Sequence, residues 1–146
     1  MIKQGPVPRG RLAGRYDRWT VPRLDAIGII SKNLESTIAF YRLLGLDIPN
    51  PAPCEDHVES VNAPIRVMFD DVEMVKGFVK DWVEPVGTKM ALAFLCGSAA
   101  EVDDTHLAIV AAGYQSKTEP WDAFWGQRYA QVIDPDGNVV DLFAPL

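Results

Sequence analysis

The chain has 146 residues, of which 48% are hydrophobic and 23% charged, a composition typical of one soluble globular domain that excludes disordered, fibrous and collagen-like chains. Residues 1–22 carry five basic residues against one acidic residue, a net charge of +4, which leaves −10 for the remainder of a chain whose total is −6. Because an acidic body repels phosphates and no run of about 18 apolar residues exists, we expect neither nucleic acid nor a membrane as a partner.

The N-terminal segment differs from the rest of the chain. Residues 1–22 are rich in glycine, proline and arginine and lack apolar periodicity, which predicts a basic, irregular arm. Residues 23–146 then form a single domain. Cys54 and Cys96 are too few for a disulfide framework and lack CxxC spacing, which favours a reducing compartment, and we expect a cytoplasmic protein.

The first half of the domain predicts a strand, a helix and a loop. Leu24–Ser31 is a short, β-branched, mostly apolar run, typical of a buried strand. Asn33 is placed to N-cap a helix that ends at Gly45. The alternating prolines of residues 49–53 predict a loop, since proline lacks the N–H donor that regular structure needs.

Further elements follow this loop. His57–Val61 and Ile65–Phe69 predict strands, whereas Val72–Val79 is consistent with either a strand or a short helix. The second half predicts a strand, a helix opened by a capping box, and a hairpin whose turn is set by Pro-Asp-Gly. These elements are Met90–Cys96, the helix from Ser98 to Gly113, and the strands Gln127–Ile133 and Val139–Phe143.

The order of elements indicates an internal duplication. Strand, helix and glycine stop occur twice, and the pairs Gly45-Leu46 and Gly113-Tyr114 lie 68 residues apart. We therefore predict a repeat of about 65–70 residues in which each half is a strand, a helix and then more strands.

Several segments resemble the vicinal oxygen chelate superfamily, which includes glyoxalase I, extradiol dioxygenases and bleomycin-resistance proteins. Its first module and last hairpin are similar to Ile27–Ile30, Asn33–Tyr41, Leu44–Leu46, Gln127–Ala130 and Asp134–Asn138. Other segments are most similar to its antibiotic-binding branch, especially the mitomycin-binding resistance protein. These are His57–Glu59, Ile65–Val75, Pro120–Tyr129 and Val140–Leu146.

The resemblance implies an α+β fold of two tandem βαβββ modules, at about residues 23–80 and 89–146. The curved mixed sheets of this fold form a cup-shaped cavity. The resemblance also implies a homodimer, because small members of the superfamily complete their cups across a dimer interface.

Enzymes of the superfamily hold a divalent metal with His and Glu side chains that point into the cup. The two first-strand positions where they place histidine are Ala26 and Ala91, and their final-strand Glu position is Asp141. A methyl group cannot coordinate a metal, and the two histidines, His57 and His106, lie elsewhere. We therefore expect no metal and no other cofactor.

The sequence offers no catalytic motif, so we assign no catalytic residue. His57 and Glu59 share one face of a strand, an arrangement that fits either an acid–base pair or a hydrogen-bonding pair at the surface or in a pocket. Trp121, Phe124 and Trp125 fall within five positions and could be core or could clamp a planar ligand. The predicted ligand-binding residues are His57, Glu59, Phe69, Trp82, Trp121, Asp122, Trp125 and Tyr129.

The favoured function is metal-independent sequestration of a small, flat, largely apolar natural product, such as an aromatic or quinone-like antibiotic, by a homodimer. An acidic body favours a cationic or neutral ligand over an anionic one. One alternative is a metal-dependent lyase or dioxygenase of the same fold. The other is a non-catalytic protein whose aromatic surface is an interaction interface.

Overall fold

The computed structural model describes residues 24–146, so the arm predicted for residues 1–22 lies outside the described residues. The first half contains β1 (Ala26–Ser31), α1 (Leu34–Leu43), β2 (His57–Glu59), β3 (Arg66–Asp71) and α2 (Val72–Phe78). The second half contains β4 (Leu92–Leu95), α3 (Ala99–Ala111), β5 (Gln115–Ala123), β6 (Gln127–Ile133) and β7 (Val139–Pro145). No helix within residues 24–146 is long and apolar enough to cross a membrane.

The strands form two mixed sheets, one from each half. The first sheet has the order β1-β3-β2 and the second the order β4-β7-β6-β5. In both halves the first strand pairs in parallel with the last strand of its own sheet, and the other pairings are antiparallel. The predicted α+β class and the repeat of strand, helix and further strands are thereby confirmed.

The predicted helix ends are confirmed by their hydrogen bonds. The Asn33 side chain accepts the Ser36 N–H at 2.9 Å, and Gly45 after α1 has φ +83°, a left-handed conformation that glycine adopts without strain. At the start of α3, the Ser98 hydroxyl accepts the Glu101 N–H at 3.1 Å. The Glu101 carboxylate accepts the N–H of Gly97, one residue earlier than in the predicted capping box.

The first half differs from the predicted βαβββ module because its sheet has three strands among the described residues. Only an isolated bridge between Asp47 and Val61 marks where a further strand would pair. The prolines of residues 49–53 follow this bridge, and their missing N–H donors stop a ladder from extending. The ambiguous segment after β3 is helical, since the Asp71 side chain caps α2 by accepting the Glu73 N–H at 2.8 Å.

One hydrophobic core contains side chains from both halves. Tyr41 of α1 is fully buried, and its ring centroid lies 5.2 Å from that of Phe69 on β3 and 6.5 Å from that of Phe94 on β4. Both sheets therefore pack on a shared core.

The turn between β6 and β7 joins the second half to α1. Asp134 is 3% exposed and accepts the Tyr41 hydroxyl at 2.8 Å. Asp136 accepts the Thr37 hydroxyl at 2.6 Å and the backbone N–H of Lys32 at 2.8 Å. The turn predicted from Pro-Asp-Gly thus also acts as a polar latch between the halves.

Candidate functional site

A charged cluster lies on one face of the first sheet. Strand register places His57 opposite Asp70, and the His57 Nδ1 lies 2.6 Å from the Asp70 carboxylate. The other ring nitrogen lies 3.1 Å from Glu59, whose second oxygen accepts from Arg66 at 2.5 Å. Arg66 also donates to Asp25 at 2.8 Å. We call His57, Glu59, Asp70, Arg66 and Asp25 the charged cluster.

The cluster favours the protonated form of His57. Partial burial alone would lower the pKa of His57, but hydrogen bonds to Asp70 and Glu59, together with their charges, outweigh it and raise the pKa. For Glu59, hydrogen bonds to Arg66 and His57 outweigh burial and lower the pKa. Because both ring nitrogens of His57 face carboxylates, neither is free to act as a general base in this arrangement.

The stabilising effect of His57 is expected to depend on pH. A raised pKa means that its contribution is fully present below its unfolded value of 6.5 and is lost as the pH rises through the higher folded value. The lowered pKa of Glu59 gives a contribution present above 4.5 and lost as the pH falls further. His57→Gln should therefore lower the free energy of unfolding at pH 5.5–6 more than at pH 9.

Urea unfolding of the wild type and of His57→Gln across this pH range checks the prediction. The difference should stay below about 1 kcal/mol, because the His57 side chain is 39% exposed and solvent screens its pairs. A difference that is constant from pH 5.5 to 9 would contradict the assigned protonation.

Four aromatic side chains line one face of the second sheet. Trp121 on β5 is in register with Tyr129 on β6, and Tyr129 is in register with Phe143 on β7. The ring centroids lie 5.2 Å apart for Trp121 and Tyr129 and 6.4 Å apart for Tyr129 and Phe143. Trp125, in the turn between β5 and β6, lies 5.4 Å from Tyr129 and is 49% exposed. We call these four residues the aromatic row.

A polar row runs beside the aromatic row on the same face. Thr118, Gln131 and Asp141 lie in register on β5, β6 and β7. The Thr118 hydroxyl donates to Gln131 at 3.0 Å, and the Gln131 amide donates to Asp141 at 2.8 Å. Burial, followed by hydrogen bonding to Asp141 and the charge of Asp141, raises the pKa of Tyr129 to about 12.

Trp82 lies in a separate place from the aromatic row. It lines a cavity of about 270 Å³ bounded by β1, the segment before β4 and the β6–β7 turn. The Trp82 N–H is buried and has no aligned acceptor among the described residues. The nearby Glu84 carboxylate forms an ion pair with Lys32 at 2.6 Å. This pair lowers the pKa of Glu84, and the Trp82 N–H makes a smaller contribution in the same direction.

Phe69 and Asp122, which were also predicted to bind the ligand, belong neither to the charged cluster nor to the face that carries the aromatic row. Phe69 is fully buried in the core against Tyr41, so it has no surface to offer a ligand. Asp122 is in register with Arg128 and pairs with it at 3.0 Å, while Arg128 also binds Asp103 of α3. Asp122 therefore lies on the helix side of β5, opposite Trp121.

Sequence reasoning missed Phe143 and, in the polar row, Thr118 and Gln131; Asp141 was named only as a metal-ligand position. The predicted Asp134–Asn138 turn contained a usable signal, since it sets the register that pairs Tyr129 with Phe143 and Gln131 with Asp141. Arg66 and Asp70 of the charged cluster were missed for a similar reason. Their places follow only from the pairing of β2 with β3.

The residues present do not fit the divalent metal that enzymes of this fold hold. Ala26 begins β1 and Ala91 precedes β4, and neither methyl group can be a ligand. Asp141 already accepts a hydrogen bond from the Gln131 amide. The two carboxylates near His57 lie on different ring nitrogens, so they do not converge. Among residues 24–146, no group of three or more His, Cys, Asp or Glu side chains could hold a metal ion.

Two mixed sheets, each built from a strand, a helix and further strands, define the fold class of the protein. The sequence profile of the Glyoxalase/Bleomycin resistance protein/Dioxygenase superfamily matches residues 23–142. The chain belongs to this superfamily. No curated protein matches the sequence.

Solved structures share the fold at low sequence identity. A glyoxalase/bleomycin resistance protein/dioxygenase family enzyme from Burkholderia phytofirmans has a TM-score of 0.76 and 20% identity, covering 86% of this chain and 100% of its own. A glyoxalase-related enzyme from Fulvimarina pelagi has a TM-score of 0.71 and 21% identity, covering 85% and 88%. Lactoylglutathione lyase from Agrobacterium tumefaciens has a TM-score of 0.62 and 18% identity, covering 86% and 96%. At these identities the likeness concerns the fold alone.

Proposed function

We propose that this chain is a metal-independent binding protein that sequesters a small, flat, largely apolar natural product, as mitomycin-binding resistance proteins do with an antibiotic. The observation that carries the proposal is the aromatic row, whose Trp125 is half exposed beside Tyr129 and Trp121. Tryptophan faces stack on planar rings, and such rigid side chains lose little entropy on binding. A conjugated ring system is therefore the ligand that suits this face.

The metal-dependent alternative lacks support from the donor set. Alanine occupies both first-strand positions, and a mononuclear catalytic site usually needs about three converging protein ligands. Sequestration needs none, since apolar burial with a few polar contacts is enough for small-molecule binding.

A thermal-shift screen of the full chain tests this function. The panel contains flat antibiotics such as mitomycin C and daunorubicin, the non-planar ampicillin as a matched control, and Zn²⁺, Ni²⁺ and Mn²⁺. A true ligand at 100 times its Kd stabilises the native state by about 2.7 kcal/mol and raises the Tm. A planar compound should shift the Tm and ampicillin should not. A Tm that rises with a metal ion but with no planar compound would contradict the proposal. A Tm that stays unchanged with every planar compound would also contradict it.

We also propose that the protein is a homodimer in which a second copy completes the ligand cup across the open face of the second sheet. Exposed apolar side chains surround this face, with Phe124 97%, Leu95 68% and Leu146 65% exposed. Patches of this kind mark interaction sites. Sedimentation should give a dimer at micromolar concentration, and a concentration-independent species at the 16.1 kDa chain mass would contradict it.

The proposed compartment is the cytoplasm. Cys54 is exposed and Cys96 is buried, and both are free thiols. Free cysteines are typical of reducing compartments. A sequestering protein placed there would intercept an antibiotic before it reaches an intracellular target.

A further inference from the structure

The hydrogen bonds of the polar row all run toward one acceptor. Thr118 donates to Gln131, and Gln131 donates to Asp141. Tyr129 of the aromatic row lies near enough to Asp141 for that carboxylate to contribute to its raised pKa. A carboxylate has about four lone-pair sites, and the Gln131 amide occupies one of those of Asp141. The Asp141 carboxylate, the last acceptor in this series of hydrogen bonds, can therefore accept further hydrogen bonds.

The side of Asp141 that faces β4 is open. Strand register places Ala93 of β4 opposite Asp141, and β4 is the edge strand of the second sheet. Ala93 is exposed, and its methyl group reaches only a short way above the sheet. A ligand group lying over Ala93 would meet the carboxylate with no larger side chain between them.

Asp141 and the aromatic row are close enough for one small molecule to contact both. Asp141 and Phe143 are two residues apart on β7, which corresponds to roughly 6.5–7 Å along a strand. Residues two positions apart on a strand share a face, so the side chains of Asp141 and Phe143 lie on the same side of the sheet. A substituent on a two-atom arm spans this distance from a stacked ring.

We propose that Asp141 is the polar anchor of the ligand site: it accepts a hydrogen bond from an amine or hydroxyl group over Ala93 while the ligand's ring lies on the aromatic row. This inference rests on the proposed function. It narrows the ligand to flat aromatic molecules that carry a hydrogen-bond donor on an arm of about two atoms. An ammonium group binds most tightly, because a charge-assisted hydrogen bond is about twice as strong as a neutral one.

Three naphthalenes that differ only at the end of the arm test the anchor. They are 2-(1-naphthyl)ethylamine, 2-(1-naphthyl)ethanol and 1-ethylnaphthalene, titrated calorimetrically into the full chain. Wild type should bind the amine at least tenfold more tightly than 1-ethylnaphthalene, with the alcohol between them. Asp141→Asn should reduce the amine's advantage to threefold or less and leave binding of 1-ethylnaphthalene unchanged.

Two further variants separate the anchor from general electrostatics and from misfolding. Asp122→Asn removes the same charge from the helix side of β5, where Arg128 pairs with Asp122, and should keep the tenfold advantage. Ala93→Leu leaves the carboxylate intact but fills the space beside it, and should also reduce the advantage.

The outcomes distinguish this inference from the proposed function. Equal affinity of wild type for all three compounds, or an unchanged amine preference in Asp141→Asn, would overturn the anchor while leaving the aromatic row as a ligand wall. Loss of the preference in Asp122→Asn would also overturn it, because long-range charge would then be the cause. Absence of binding by all three compounds would overturn both.

Discussion

Replacing Asp134 by alanine is expected to lower the free energy of unfolding by about 3–5 kcal/mol. Asp134 is 3% exposed and accepts four hydrogen bonds, from the Tyr41 hydroxyl, the N–H groups of Asp136 and Asn138, and the Asn138 amide. Alanine leaves these donors without an acceptor, and each unsatisfied buried group costs about 1–3 kcal/mol. A loss of this size is a large part of the 5–15 kcal/mol typical of a domain.

Urea unfolding and the Tm measure this effect, and the Tm should fall by roughly 10–20 °C. Tyr41→Phe removes one of the four donors and should cost about 1.5–3 kcal/mol, the usual value for a hydrogen bond to a charged group. Asp122→Ala is the matched control, since this carboxylate is 63% exposed and its pair with Arg128 is worth at most about 1 kcal/mol. If Asp134→Ala unfolds like Asp122→Ala, the turn does not latch the two halves together.

Trp125→Ala is expected to weaken binding of the planar antibiotic that gives the largest thermal shift by about thirtyfold. Tryptophans at the centre of binding sites often cost 2 kcal/mol or more on truncation, which corresponds to this factor. The indole is 49% exposed, so its removal should cost less stability than the 3–5 kcal/mol of a core tryptophan. Affinity and Tm should therefore change to very different extents.

Calorimetric titration and thermal unfolding of the same samples make the comparison. Phe78→Ala provides the control, because Phe78 is a 56% exposed aromatic at the end of α2, outside the aromatic row. It should retain wild-type affinity. A Trp125→Ala protein with native unfolding and unchanged affinity would show that the aromatic row is not the ligand wall.

Most elements were predictable because local signals were strong, but β5 was not. Its residues lack hydrophobic alternation, and Pro120 within the strand argues against a central position. β5 tolerates Pro120 because it lies at the edge of the second sheet, where the missing N–H of proline costs no ladder hydrogen bond. Whether a strand lies at an edge depends on the order of strands in the sheet, which local sequence does not reveal.

The candidate site was predictable where its members are neighbours in sequence. Trp121 and Trp125 stand close together along the chain, and the structure brings Tyr129 against both of them. Phe69 was misleading, because an aromatic residue on a strand suits the core and an open face equally well. Its burial against Tyr41 is a property of the packing between β3 and α1.

By itself the sequence determined the helix caps and the Asp-Pro-Asp-Gly turn, because each of these is a property of residues close together in the chain. The fold class and the alanines at the metal-ligand positions followed from the resemblance of those local motifs to the superfamily. Only the tertiary structure decided which side chains share a face. Strand register placed Asp141 beside Gln131, and the alternation of side chains along β5 put Asp122 and Trp121 on opposite faces. The path of the loop between α2 and β4 placed Trp82 at a separate cavity. The physical reason is the two-residue period of a strand: a shift of one position reverses every side chain, and the pairing that prevents the shift involves distant parts of the chain.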